Sequence, residues 1–440
     1  MTATVTRTGD EASPRVLRRV LAVLVLSQAL GGAGMAAGIT VGALLAEDLL
    51  GSTGLAGLPV ALFTAGAALG AAVIGRVSQR LGRRPGLALG HAVAALGSIG
   101  VVAAAAGAWA GLLLFSLFVY GAGTATGLLA RYAGADLAPP ERRGRATGTV
   151  LLATTLGAVA GPNLVGPTGA LAHAYGIPRL AGPFLLAACA YTAAGLVLLV
   201  WLRPDPLHLA RHRPAAVAPA TAPATAPGAQ ERFSPGVITG ATVMITAQLV
   251  MIAVMTMTPP HMTGHGHSTQ AAGFVIALHV GAMFLPSPLS GLLADRLGRL
   301  PVAAASGAVL LSAGVLAGLA PPDSVPLLSC ALVLLGLGWN LALVSGTAMI
   351  TDAAPADSRA SVQGLADVGM SLAGATGGMA SGLVVAGGGY PLLAVAAGTL
   401  AVAVIPVVAR FAAAARWENR ATVQRCPRVD LDHSDRPRDV

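Results

Sequence analysis

Two short patterns in this sequence combine side chains that bind soft metal ions: Met251-x-x-x-Met255 and His279-x-x-x-Met283. Thioether and imidazole groups are ligands that monovalent copper favours. A spacing of four residues puts both members of each pair on one face of a helix. If the two helices are neighbours, three thioethers and one imidazole face a common point. The patterns therefore predict a copper site at these four residues.

The segment between the two patterns is also rich in possible ligands. Within residues 260–267 it carries His261, Met262, His265 and His267. Short His-rich tracts favour weak metal capture, so we expect an entry point for the ion here. The structural alternatives are a polar turn for this tract, gap-filling between packed helices for the methionines, and a packing role for His279.

The composition places both patterns in a membrane protein. The chain has 440 residues, of which 55% are hydrophobic and only 10% charged, whereas a soluble domain carries about 25% charged residues. Its apolar stretches are long enough for membrane helices, and alternating barrel-type segments are absent. The fold class is therefore all-α integral membrane. Twelve spans are predicted, at about 18–46, 55–77, 86–107, 110–133, 146–170, 180–203, 236–259, 269–293, 301–320, 326–351, 361–386 and 390–411.

The spans divide the chain into two halves with a linker between them. We predict a tail at 1–17, a six-helix half at 18–203, a linker at 204–235, a second six-helix half at 236–411 and a tail at 412–440. The linker contains the run PATAPATAPGAQ, a composition that cannot build a core and is typical of a flexible connection. Three widely spaced cysteines give no disulfide framework.

The distribution of positive charge predicts the orientation. The formal charge is +9 and every Lys-or-Arg position is Arg. If the N-terminus is cytoplasmic, all Arg except Arg131 and Arg179 fall on inner loops, tails or inner helix ends, as the positive-inside rule requires. We therefore expect a cytoplasmic membrane location with both termini cytoplasmic, and contact with a lipid bilayer, not with nucleic acid.

An internal repeat predicts how the halves are related. GRVSQRLGRRP begins at Gly75 and GLLADRLGRLP begins at Gly291, an offset of 216 residues. At the same offset a second loop repeats without a gap. Its residues Asp136, Pro139, Arg143 and Gly148 meet identical residues at Asp352, Pro355, Arg359 and Gly364. Because six spans is an even number, the two halves share one orientation and are parallel repeats.

The repeated loop resembles the signature loop of the major facilitator superfamily. The resemblance implies the two-repeat fold, transport of a small cargo by alternating access, and a gating role for the two loops. Gln79 stands where that family usually has an acid, and the second copy keeps Asp295, so we expect the acidic latch to operate mainly in the second half. The gating residues are Arg80, Gly82, Arg83, Asp295, Arg296, Gly298 and Arg299.

The Met/His patterns resemble the copper-importing, CcoA-like branch of that superfamily. The resemblance implies copper import through Met251, Met255, His279 and Met283, with copper as cargo and no resident cofactor, in a monomeric protein. The alternative is a facilitator for an organic solute, such as a flavin or a drug exported against protons. Loss of metal binding on changing His279 would separate the two. A Walker A pattern and a nucleophile–base arrangement are both absent, so neither an ATP-driven pump nor an enzyme is expected.

A few polar residues within the spans are further candidates. Asp367 is expected to couple transport to protons, to cap a local helix irregularity or to form a structural ion pair with Arg359. Arg131 and Asp136 are expected to form a structural pair. An ionisable residue within a span is a functional hypothesis by default. The remaining cavity candidates are Asn163, Asn340 and Gln28.

Overall fold

The computed structural model describes residues 14–50, 58–211 and 234–410; the side chains of 36–50, 158–163 and 269 lie outside the description. The described part of the first half consists of helices and short connections. Its helices are α1 (Pro14–Leu50), α2 (Leu58–Leu81), α3 (Arg83–Gly107), α4 (Ala110–Asp136), α5 (Arg143–Ala174), α6 (Gly182–Trp201) and the short α7 (Pro206–Arg211).

The second half repeats this arrangement with two interruptions. Its helices are α8 (Pro235–Gly264), α9 (Thr269–Phe284), α10 (Ser287–Leu297), α11 (Arg299–Leu319), α12 (Val325–Ala353) and α13 (Arg359–Ala401). The first interruption falls at Pro286, between α9 and α10. The second lies inside α13, where Gly389 has a φ of 78° and Pro391 follows. A positive φ breaks helical geometry, so α13 contains two crossings.

The described helices confirm the predicted architecture. Ten candidate spans are long and apolar enough to cross a membrane. One of them joins α9 and α10, and another, Arg359–Arg410, is the segment broken at Gly389 into two crossings. The 32-residue α5 supplies a further long helix in the bundle. The chain is therefore an all-α membrane protein built from two six-helix repeats.

The halves meet near one end of the bundle. We call it the Arg-rich end; it carries the α2–α3, α4–α5, α10–α11 and α12–α13 connections. There α2 packs against α13, and α5 packs against α10. A Cβ on Gly75 would lie 2.9 Å from the Cα of Gly364, and a Cβ on Gly291 would lie 2.2 Å from the carbonyl oxygen of Gly144. Glycine is required at these crossings because the backbones nearly touch.

The predicted linker begins as an ordered segment. The Asp205 carboxylate accepts hydrogen bonds from the backbone N–H of Arg84 at 2.8 Å and of Leu207 at 2.9 Å, and Arg211 donates to the carbonyl of Gln79. Residues 204–211 are thus fixed to the α2–α3 loop, contrary to the expectation of flexibility throughout 204–235. The rest of the linker (212–233) and most of both predicted tails (1–13 and 411–440) lie outside the described residues.

Candidate functional site

Two related contacts clamp the halves together at the Arg-rich end. The Gln79 side-chain oxygen accepts from the backbone N–H of Ala360 at 2.7 Å, at the start of α13. Its repeat mate, Asp295, accepts from the N–H groups of Gly144 and Arg145 at 2.9 and 3.0 Å, at the start of α5. The first N–H groups of a helix have no partner within it. Each half therefore caps a helix of the other half.

The first half carries a neutral counterpart of the acidic latch that was expected in the second half. The acidic latch does lie there, at Asp295. Gln79 nevertheless makes the equivalent contact with a neutral amide, and its Nε2 also donates to the Ala356 carbonyl at 3.2 Å. A side-chain oxygen of the right reach is sufficient for this cap, so the first half is clamped as well.

Ion pairs brace the loops that carry the clamps. Arg83 donates to Asp136 at 2.8 Å, and both side chains are fully buried. At the equivalent place in the second half, Arg299 pairs with Asp352 at 3.1 Å. Arg143, from the first half, pairs with the same Asp352. The expected Arg131–Asp136 pair is therefore wrong, since Asp136 forms its ion pair with Arg83.

The other predicted gating residues have simple roles in the loops. Gly82 and Gly298 precede α3 and α11 with φ values of 101° and 96°. This is a conformation that side chains with a Cβ disfavour. Arg80 and Arg296 are exposed at the Arg-rich end.

An ion pair between the halves lies deeper in the bundle. The Arg131 guanidinium on α4 donates to both carboxylate oxygens of Asp367 on α13, at 2.6 and 3.2 Å. The Tyr132 ring lies 4.3 Å from the guanidinium carbon. The expected Asp367–Arg359 pair is wrong: Arg359 donates through Nε to the Ala354 carbonyl at 3.2 Å. Helix packing across the interface, not proximity along the chain, selects the partner of Asp367.

The predicted metal ligands lie in the core of the second half. Met251 and Met283 are buried there, and Met255 packs against the same core. His279 is fully buried; its Nδ1 lies 2.8 Å from the Leu332 carbonyl on α12, to which Nδ1–H donates. Its Nε2 is buried and has no hydrogen-bond partner among the described residues. Helix α9 packs chiefly against α12, with less contact to α8.

The residues of the predicted entry tract lie in different environments. The His261 ring stacks on Tyr390 at 4.3 Å and lies 4.5 Å from the ring of His265. His267 instead contacts the Pro322 carbonyl through Nε2 at 2.9 Å, and Met262 is buried in the core. Among the described residues no group of three or more His, Cys, Asp or Glu side chains is arranged to hold a metal.

The remaining candidates separate into structural and cavity-lining residues. Asn340 donates to the carbonyl of Met283 at 2.7 Å and to the hydroxyl of Ser287 at 2.6 Å. It braces the break between α9 and α10, while its Oδ1 is buried without a hydrogen-bond partner among the described residues, and its cavity role stays a prediction. Gln28 lines a small recess in the first half. The side chain of Asn163 lies outside the described residues.

Sequence reasoning missed one buried imidazole. His91 on α3 is 1% exposed and lines the same recess as Gln28. The rule that selected His279, a histidine within an apolar span, applies equally to His91. No methionine lies four residues from His91, so no Met/His pair marks this residue in the sequence.

The geometry described above agrees with comparisons to known proteins. Residues 24–343 and 243–426 match the model of the Major Facilitator Superfamily. This chain belongs to the major facilitator superfamily. Members of this superfamily are transporters and not enzymes.

Relatives and solved structures support that assignment. The chain is 51% identical to the uncharacterized MFS-type transporter YdeG of Bacillus subtilis (strain 168), over 90% of this chain and 93% of that one. It is 33% identical to the riboflavin transporter RfnT of Brucella anthropi, over 80% of this chain and 85% of that one. The crystal structure of the human organic anion transporter MFSD10 (TETRAN) superposes with a TM-score of 0.71 at 18% identity, covering 90% of this chain and 100% of that one, and this likeness concerns the fold.

Proposed function

We propose that this protein is a secondary transporter of the cytoplasmic membrane that moves a small organic solute by alternating access. The observation that carries this proposal is the pair of repeat-related clamps, Gln79 on Ala360 and Asp295 on Gly144, at a single end of the bundle. Charge asymmetry of the Arg residues supports an orientation with that end in the cytoplasm.

The contacts between the halves support a transporter closed on one side. In the described part of the chain, every hydrogen bond or ion pair that joins the halves lies between the Arg-rich end and the layer of Arg131. A neutral intramolecular hydrogen bond contributes only about 1 kcal/mol and one to a charged group about 1.5–3 kcal/mol, so no single contact locks the halves together. As the halves rock, these contacts at the Arg-rich end can break together. The opposite end of the bundle can then close by forming its own contacts between the halves. With the proposed orientation, this structure is the outward-facing state.

The nature of the cargo is inferred from the relatives. RfnT, at 33% identity over 80% of this chain, is named a riboflavin transporter. Its similarity extends over both halves, which is the extent that a shared transport cycle needs. A riboflavin-like solute is therefore the first cargo to test. The resemblance to the copper-importing branch gains no support from YdeG or RfnT, since neither name mentions copper.

Copper remains the second candidate because of one observation. The Nε2 atom of His279 is buried without a hydrogen-bond partner in the described structure, in the half whose core contains Met251 and Met283. A buried polar atom without a partner costs free energy. A soft metal ion bound to this nitrogen would remove that cost.

Uptake of the two cargoes by cells that lack their own importers tests the proposal. Cells producing the native chain should accumulate labelled riboflavin, and cells producing Gly291→Leu should not, because a side chain there would meet the Gly144 carbonyl. Gly382→Leu is the matched control, since a Cβ at Gly382 meets nothing within 4 Å. Accumulation of copper without riboflavin would replace the first cargo by the second. Accumulation of neither would reject both.

A further inference from the structure

A recess inside the first half brings polar groups of five helices together. It has a volume of about 10 Å³ and is lined by Gln28, Gly31, Gly32, Met35, His91, Thr124, Gly127, Thr154 and Tyr191. That volume is enough for about one water molecule. The space is therefore too small for an organic cargo in this state but fits a water next to the His91 ring.

The hydrogen bonds around His91 assign its tautomer. The Ser27 hydroxyl donates to the Ala194 carbonyl at 3.3 Å, and its oxygen lies 3.3 Å from Nε2 of His91. Both contacts are satisfied together when the Ser27 hydroxyl donates to the Ala194 carbonyl and the Ser27 oxygen accepts from Nε2–H of His91, and we assign this tautomer. A neutral imidazole carries one hydrogen. The other nitrogen, Nδ1, therefore holds a free lone pair.

The free nitrogen faces the recess because glycine lies beside it. A Cβ on Gly31 would come within 3.0 Å of Cε1 and 3.7 Å of Nδ1 of His91. Nδ1 is buried and has no hydrogen-bond partner among the described residues. An unpartnered acceptor next to a space for one water is the arrangement that receives a proton from solvent.

Among the side chains that the structure describes, the surroundings of His91 contain no fixed counter-ion. The Tyr191 ring stacks on the imidazole at 5.7 Å, and Tyr120 lies beyond it at 6.0 Å from Tyr191. From α1 the facing groups are Ser27 and Gln28, which are uncharged. In the described part of the chain no carboxylate or guanidinium contacts the ring. An imidazolium ion here depends on water for its stabilisation.

We propose that His91 is the binding site of the proton that couples transport. A proton from water adds to Nδ1, and the imidazolium keeps its Nε2–H bond to Ser27. The recess has room for about one water, which is too little to solvate a buried imidazolium, so the proton favours a state in which more water reaches the recess. A ligand shifts a conformational equilibrium toward the state that binds it better. Acid therefore moves the population away from the state described above. This inference rests on the proposed alternating access and is independent of which solute is carried.

Distance measurements between two spin labels at the end opposite the Arg-rich end test the proposal without any cargo. The labels go on Tyr175→Cys and Asp323→Cys, which are exposed and belong to different halves, after replacement of Cys189, Cys330 and Cys426. Lowering the pH from about 8 to about 5.5 should raise the ratio of the short-distance to the long-distance population several-fold; one pKa unit of difference in proton affinity between the two states allows at most a roughly tenfold rise. His91→Gln, which keeps a hydrogen-bonding group without titrating, should remove this response.

Three further variants make the result decisive. His279→Gln is the matched control: it changes the other buried imidazole, whose Nδ1 donates to the Leu332 carbonyl, and should respond to acid as the native chain does. Ser27→Ala, a milder change, should lower the midpoint by about half to one pH unit, because the lost Nε2–H bond to Ser27 is stronger in the charged imidazolium than in the neutral ring. An acid response that persists in His91→Gln, is absent from the native chain, or disappears only in Asp367→Asn would overturn the proposal. If the protein does not take up riboflavin, the response of the label distances to acid is still expected, so the two proposals can fail separately.

Discussion

Arg131 and Thr347 occupy equivalent positions in the two repeats and hydrogen-bond to each other across the interface, at 2.9 Å between Nε and Oγ1. The partner of Arg131, Asp367, has Leu151 as its own repeat mate, a residue buried against the core of the second half. One of two related crossings thus carries an ion pair, and the other carries a hydroxyl and an aliphatic side chain. The related crossing forms without charge at that place, so the repeated packing itself does not require the Arg131–Asp367 pair.

Substitutions of Arg131 and Asp367 should have non-additive effects on the free energy of unfolding. Asp367→Leu leaves a buried guanidinium unpaired and should destabilise the protein by about 3–5 kcal/mol. The double variant Arg131→Thr with Asp367→Leu reproduces the composition of the other crossing and should recover most of that loss. Thermal unfolding of the purified proteins in detergent measures both. A double variant as unstable as Asp367→Leu would show that the pair is not a self-contained unit.

The two clamps should differ in strength. Asp295→Ala removes hydrogen bonds to a carboxylate, each worth about 1.5–3 kcal/mol, whereas Gln79→Ala removes neutral ones worth about 0.5–1.5 kcal/mol. The Arg-rich end should therefore open more in Asp295→Ala. Labelling of Leu151→Cys by a water-soluble thiol reagent, added at that end, reports the opening. Equal labelling in the two variants would contradict the ranking.

Copper as cargo makes a prediction for the Met/His residues. His279→Ala and Met251→Leu should each lower the affinity of the purified protein for Cu(I) at least tenfold, because each removes a ligand of a soft ion. Met257→Leu is the control, since Met257 lies off the helical face shared by Met251 and Met255. Competition with a coloured Cu(I) chelator measures the affinity. If His279→Ala binds Cu(I) with unchanged affinity, the copper site is rejected and the methionines are packing residues.

The orientation predicts which side exposes the linker. A cysteine introduced by Ala220→Cys, in a background without the native cysteines, should react with an impermeant reagent only when the cytoplasmic side is accessible. The physical reason is the retention of Arg-rich segments in the cytoplasm during insertion. Comparison of intact cells with opened cells provides the measurement. Reaction in intact cells would reverse the topology.

The sequence by itself determined the architecture. Apolar spans of sufficient length define membrane helices regardless of what they pack against. The loops at Gly75 and Gly291, identical at six positions, fix the parallel repeat because an offset without gaps leaves a single alignment. The Arg distribution gives the predicted orientation for the same reason: it depends on local composition. These properties need no knowledge of which side chains meet.

Only the tertiary structure decided the partners. Asp367 pairs with Arg131, which is 236 residues away, and not with the nearby Arg359, because α4 and α13 face each other across the interface. Asn340 braces a helix break that periodicity does not reveal. His91 and His279 look alike in the sequence, as single imidazoles within apolar spans. Packing alone distinguishes them, because Gly31 leaves space beside Nδ1 of His91 while the backbone of α12 holds Nδ1 of His279.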